Sequence, residues 1–346
     1  MKTGLYEQPI NKKLDKELKE LTDNFAVEKE QIDDEEAAGI LAKYVKNVVE
    51  QSLRNISDSG SDLNEQLALV NKVINAIQAE TNTDIAELAL ANDEQLLSVM
   101  DKTNSAQAVN QNVKTIRPVT SIAQSSLFTG AVHEPQMFSE LKKEIFSCDS
   151  IDMLVSFIKW SGLRLLIDAL REFTDKGGKL RVITTSYMGA TDIKAINELA
   201  KLQNTEIKVS YDTKRTRLHA KAYIFYRETG FTTAYVGSSN LSNVAISSGL
   251  EWNLKISKQD QPEVLQKIAA TFDSYWNSNE FEFYDAEQEP RLAKALKLER
   301  THTEDNNFFA FDINPYPYQQ EILDKLEAER TIRQNFKNLI VAATGT

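Results

Sequence analysis

With 346 residues, 41% of them hydrophobic, and a single cysteine, the chain is long enough for two or three globular cores. The lone Cys148 excludes an internal disulfide framework and a cysteine-built zinc site, and the scattered His133, His219 and His302 offer no histidine metal cluster, so no metal is expected. A formal charge of −11 excludes a uniformly basic polyanion binder, and no run approaches the roughly 18 apolar residues of a membrane span.

The N-terminus carries Lys2, Glu7 and Lys12 without an apolar segment, so it does not read as a signal peptide, and the chain is expected in the cytoplasm with no membrane partner. Charge is unevenly spread. Residues 1–116 hold 12 Lys/Arg against 21 Asp/Glu, 117–260 hold 19 against 15, and 261–346 hold 9 against 15. A polyanion is therefore expected to meet the middle.

The first part, 1–115, reads as an acidic helical accessory domain, because apolar residues recur at helical spacing and Gly and Pro are scarce. Leu14, Leu18 and Leu21 form one stripe. Ile40, Leu41, Tyr44, Val45, Val48, Val49 and Leu53 form a second, and Asp62 is the expected N-cap of a third helix through Leu67, Val70, Ile74 and Ile77. The polar stretch 101–112 reads as a linker.

From residue 116 short β-prone runs alternate with amphipathic segments, the pattern of an α/β layer structure. Strands are expected at 151–157, 180–184, 207–211, 222–226, 232–236 and 251–256, and helices at 162–173 and 192–202. Gly177-Gly178 and the hairpin turn at 228–230 punctuate them.

One constellation stands out on these strands. Arg217-Leu218-His219-Ala220-Lys221 opens a strand, Gly237-Ser238-Ser239-Asn240 closes the next, and Glu251 opens another. Residues two apart on a strand share a face, so His219 and Lys221 put an imidazole beside an ammonium, as metal-free phosphodiester cleavage requires of a nucleophile and its phosphate clamp. Gly237 lets backbone approach a phosphate, and Ser238 and Asn240 supply uncharged donors. Glu251 is expected to accept from the second ring nitrogen of His219 and stabilise the imidazolium. The basic run Lys214-Arg215-Thr216-Arg217 is expected to guide phosphate, with Gly237 and Ser239 also on the phosphate side.

These residues resemble the phospholipase D superfamily, whose signature is His-x-Lys followed by Gly-Ser-x-Asn. The trailing Glu251 looks most like that of its metal-independent endonucleases. The resemblance implies a mixed β-sheet flanked by helices across 116–285, a phosphohistidine intermediate on His219, and phosphate oxygens held by Lys221 and Asn240. It also implies DNA as partner, no cofactor for the nuclease, and one active centre built from two motif copies. Neither His133 nor His302 is followed two places on by Lys, so a homodimer sharing one site is expected. Two departures are visible: Tyr226 stands where the family has Asp, and the gap to the glycine is about four residues longer than usual in such signatures, a length the turn at 228–230 absorbs.

Near the end, Pro317-Tyr318-Gln319-Gln320 leads into a helix at 321–329, and a strand at 338–341 runs into Thr344-Gly345-Thr346. This resembles the opening of superfamily-two helicases, so 286–346 reads as a linker and the incomplete start of a RecA-like ATPase. Gln319 would read adenine, and the phosphate loop would begin at Thr344, Gly345 and Thr346. The sequence ends before the loop's Lys and Ser/Thr, so ATP and Mg2+ are expected only in a full-length helicase. The order of parts resembles helicase-nuclease fusions of the restriction and phage-defence type. The alternative is a catalytically inactive nucleic-acid binding or dimerisation module that positions a helicase.

Overall fold

The computed structural model describes residues 2–99 except Asp23, Ser61 and Asn82, residues 116–213 except Val132, residues 217–242 and 251–305, and four isolated positions beyond. Contacts divide the chain into two units, Met1–Gln111 and Asn112–Thr346.

The first unit is helical. It contains α1 (Lys12–Lys19), α2 (Ala37–Asp58) and α3 (Leu63–Thr81). Asp62 caps α3 as expected, its Oδ1 accepting from the backbone N–H of Asn64 at 2.8 Å and of Glu65 at 3.3 Å. Ile40 and Tyr44 of α2 and Leu67, Val70 and Ile74 of α3 are half-buried, whereas Leu41, Val45 and Val48 remain exposed. No residue of the three helices is fully buried, so the second apolar stripe is only partly turned inward. The linker expected at 101–112 lies outside the described residues.

The second unit is a mixed α/β structure built on one eight-stranded sheet in the order β1-β7-β6-β5-β2-β3-β4-β8. Its strands are β1 (Ser126–Phe128), β2 (Ser150–Val155), β3 (Lys179–Thr185), β4 (Thr205–Ser210), β5 (Lys221–Tyr226), β6 (Thr233–Gly237), β7 (Asn253–Ser257) and β8 (Phe281–Phe283). The six expected runs are all strands. Strands β1 and β8 are additional to these, and their three residues are too short to show a period of two in sequence.

Between the strands run α4 (Met137–Phe146), α5 (Trp160–Leu163), α6 (Ile167–Asp175), α7 (Ile193–Ala200), α8 (Pro262–Trp276) and α9 (Glu289–Asp305). The single helix expected at 162–173 is broken into α5 and α6. In α5 Gly162 lies against the backbone of Leu241 and Ser242, where a Cβ would meet Ser242 N at 2.5 Å. Among the described residues no helix is long and apolar enough to cross a membrane.

Alternation along the strands sends one set of side chains to each face. Ile151, Met153, Leu180, Val182, Tyr223 and Phe225 pack with α4, α6 and α7 on one side. Leu154, Ile183, Ile224, Ala234 and Ile256 pack against Leu265, Phe272 and Trp276 of α8 on the other. Helix α9, within the stretch read from sequence as linker, buries Leu292 and Leu296 in the first of these cores. Because β2, β3 and β4 are parallel and β5 runs antiparallel to β2, the start of β5 stands beside the end of β2. That is the edge where open α/β sheets present ligand sites.

Candidate active site

The ladder sets the site's frame. Lys221 pairs with Val155 on β2, and Ala222 pairs with Val236, which puts Lys221 level with Gly237; Gly237 in turn pairs with Asn253. Two residues beyond this rung, on the same end of the sheet, come Phe157, His219 and Glu251.

Strand β5 begins at Lys221, so His219 lies on the extended approach rather than inside a strand as expected. Buried Leu218 anchors that approach in the core beneath α8, and Ser156 Oγ donates to Ala220 O at 3.4 Å. The pairing survives this correction. Lys221 is 5% exposed, and its Nζ sits 3.0 Å from His219 Nδ1, 3.2 Å from Nε2 and 2.7 Å from the His219 carbonyl. Burial lowers the Lys221 pKa from the usual lysine value, and the charge of Glu251 opposes that shift. His219 itself is exposed.

The second arm is the turn after β6. Asn240 is 7% exposed, and its Oδ1 accepts from Phe157 N–H at 3.2 Å, leaving the Nδ2 end as a donor for a ligand. The turn is tied to the end of β2 by a parallel bridge between Ile158 and Leu241 and by Lys159 N–H donating to Leu241 O at 2.9 Å. Ser238 is exposed; its N–H and hydroxyl both point to Trp252 O, at 3.1 and 3.4 Å.

Two expectations for this turn change. Ser239 is fully buried: its Oγ accepts from Asn253 Nδ2 at 2.7 Å, its N–H donates to Asn253 Oδ1 at 3.4 Å, and its carbonyl accepts from Tyr223 OH at 3.0 Å. It shapes the turn rather than facing phosphate. Gly237 is required by β7, since a Cβ there would lie 2.2 Å from Trp252 O and 2.6 Å from Asn253 Oδ1. Close approach of a strand is sufficient to account for the glycine.

Glu251 does not make the expected hydrogen bond to His219 among the described residues; its influence falls on Lys221 instead. Arg217 is exposed on the approach to His219. Lys214 and Arg215 of the basic run lie outside the described residues, as do Gln319, Thr344, Gly345 and Thr346 of the expected nucleotide site.

Tyr226, at the position of the signature Asp, closes β5 at the far end from Lys221. It lies five steps along the strand from Lys221, roughly 17 Å at about 3.3 Å per residue. Its hydroxyl turns to Asp152, and burial, then the Asp152 charge, raises its pKa. Asp152 also receives Arg181 Nε at 2.7 Å and Nη2 at 2.6 Å, and that guanidinium reaches Asp273 of α8 at 2.9 Å. Arg181 lies over the Phe272 and Trp276 rings, at 5.0 and 5.2 Å. The departure from the signature therefore falls in a strand-fastening network, remote from the imidazole.

Sequence reasoning did not single out the Phe157 amide, Asn253 or Tyr223, which fix the Asn240 arm. A backbone donor leaves no mark in sequence, and Asn253 reads only as a polar residue opening a strand.

Residues 141–276 match the family model described as the cardiolipin synthase, PLD-like domain. The middle of the chain is thus a phospholipase D-like domain. No curated protein matches the chain. Among solved structures, NucT from Helicobacter pylori is similar at 20% identity and a TM-score of 0.36, over 44% of this chain and 94% of that one. The phospholipase D family member Nuc from Salmonella typhimurium is similar at 19% identity and a TM-score of 0.35, over 47% and 100%. The archaeal chromatin protein TrmBL2 is similar at 12% identity and a TM-score of 0.30, over 69% of each chain.

Proposed function

We propose that the domain is a metal-independent phosphodiesterase that cuts DNA through a phosphohistidine on His219. The observation that carries this reading is the Lys221 ammonium held against the His219 ring at the end of the sheet that the Asn240 arm and Glu251 also reach. A ring nitrogen of His219 attacks phosphorus, the N–P bond forms, and the P–O bond to the leaving strand breaks. The leaving oxygen takes a proton from the His219 of a second copy. Water then attacks the phosphohistidine, the N–P bond breaks, and the partner imidazole receives the proton. Lys221 and Asn240 Nδ2 hold the non-bridging oxygens, and Glu251 favours the charged form of Lys221.

The basic balance of residues 117–260, the exposed Arg217 and the exposed Trp252 indole beside Glu251 support a nucleic acid over a small diester. The need for two imidazoles, with one motif in the chain, supports a homodimer sharing one site. The resemblance of 317–346 to a helicase opening supports a place beside a motor in a restriction or phage-defence protein, with ATP and Mg2+ serving that motor alone. The remote position of Tyr226 favours the active reading over the inactive-module alternative.

The test is incubation of the purified protein with supercoiled plasmid in EDTA. Wild type nicks or linearises it, and Lys221→Ala slows cleavage by about 100-fold or more, as loss of a charge clamp does. No cleavage by wild type, or equal rates for both, overturns the proposal. In the same assay across pH, activity falls on the alkaline side below the usual lysine range, because the Lys221 pKa is lowered. Glu251 opposes that lowering, so in Glu251→Gln the alkaline limb moves to still lower pH. An unmoved or raised limb contradicts the role given to Glu251.

A further inference from the structure

We infer that Glu299 and Arg300 near the end of α9 are positioning residues, bracing both arms of the site from behind; this rests on the proposed phosphodiesterase reading. Helix α9 is itself anchored, with Leu292 and Leu296 essentially inaccessible in the core. One turn beyond Leu296, the helix reaches two separate loops at the same end of the sheet.

The first contact is to the nucleophile arm. Thr213 Oγ1 donates to Glu299 Oε1 at 2.8 Å. Thr213 directly precedes the basic run 214–217, and His219 follows two residues after that run. The end of β4 and the helix thus hold Thr213, six residues before His219.

The second contact is to the Asn240 arm. Arg300 Nε donates to Gly189 O at 2.7 Å and Nη2 to Thr191 O at 3.4 Å. Gly189 has a positive φ of 60°, and a Cβ there would meet Arg300 Cγ at 2.5 Å and Leu296 O at 2.6 Å, so this loop is shaped to the helix. The preceding Met188 also has a φ of 60°, a left-handed conformation that a side-chain-bearing residue holds only when its surroundings enforce it. From Thr191 the path is short: its Oγ1 accepts from Ile158 N–H at 3.4 Å, and the next residue back, Phe157, donates the bond that orients Asn240.

One helix end therefore touches the segment leading to the nucleophile and the segment fixing the phosphate donor. Catalysis needs the two held in register to a fraction of an ångström, and small misplacements far from the chemistry lower rates steeply. A strut contacting both arms supplies that register. Neither Glu299 nor Arg300 touches the reacting atoms.

The test uses the full chain with Thr213→Val, Thr213→Ser and Arg300→Ala, following kcat and KM for plasmid cleavage in EDTA together with the melting temperature. Thr213→Val and Arg300→Ala are each expected to lower kcat/KM about tenfold or more through kcat. The melting temperature stays near wild type, and Thr213→Ser, which keeps the hydroxyl, retains wild-type kinetics. If Arg300→Ala fails to fold, the Val and Ser pair at Thr213 decides alone. Wild-type kcat/KM in Thr213→Val, or equal losses in Val and Ser, overturns the inference while leaving the phosphodiesterase reading intact. A wild-type protein inactive in EDTA removes both, a result distinct from the first.

Discussion

Substituting His219 with alanine is expected to abolish metal-free cleavage, with a loss of roughly a thousandfold or more under single-turnover conditions. Covalent transfer to an imidazole has no substitute once the ring is gone, and losing a nucleophile that works as one unit with its neighbours removes nearly all of their joint effect. The side chain is exposed and lies ahead of β5 rather than in the sheet, so its truncation leaves the core intact. The loss should therefore appear with an unchanged melting curve and with DNA binding retained through Lys221 and Arg217. Cleavage at wild-type rate in His219→Ala would remove the nucleophile from the account. A shared site adds a second reading: mixing His219→Ala with wild-type chains in excess should depress activity more than dilution does.

The largest effect on stability is expected at Glu144. Its carboxylate is buried beneath the sheet, taking Arg227 Nη2 at 2.5 Å, Lys255 Nζ at 3.1 Å, and the hydroxyls of Thr233 and Tyr235 at 3.0 Å each. Arg227 is 8% exposed and Lys255 0%. Glu144→Ala would remove the carboxylate that both buried cations contact, which destabilises by about 3–5 kcal/mol in comparable buried pairs. Burial already lowers the Lys255 pKa and Glu144 opposes it, so the variant lowers it further and Lys255 sheds its proton in part compensation. Urea denaturation followed by a signal from the α/β unit checks this. A change under about 1 kcal/mol would show that the network contributes little.

Much of the site was readable because its chemistry depends on spacing. A period of two puts His219 and Lys221 on one side whether or not the strand reaches His219, so the pair was legible even though the strand boundary was not. The six inner strands were legible because buried strands are apolar and sharply punctuated. The helices α4, α8 and α9 were not singled out, although Leu265, Phe272 and Trp276 recur at helical spacing after Pro262. The roles of Gly237 and Ser239 are ambiguous in sequence for one physical reason. Tight turns serve packing and ligands with the same small residues, and only the neighbours, here Trp252 and Asn253, distinguish the two. Glu251 was read as a partner of His219 because sequence order shows which residues share an end of the sheet but not which pair forms there. The Glu144 cluster was invisible for a related reason: α4 and the residues of β6 and β7 it serves are about 90 to 110 positions apart in a chain of this kind, and long-range ion pairs leave no local pattern.

The covalent step is most directly tested by the stereochemical course at phosphorus. Cleavage of a chiral phosphorothioate DNA by the wild-type protein in EDTA, carried out in isotopically labelled water, should proceed with net retention, since each of two in-line displacements inverts the centre. Net inversion would mean that water attacks the diester directly, and the phosphohistidine would have no place in the reaction.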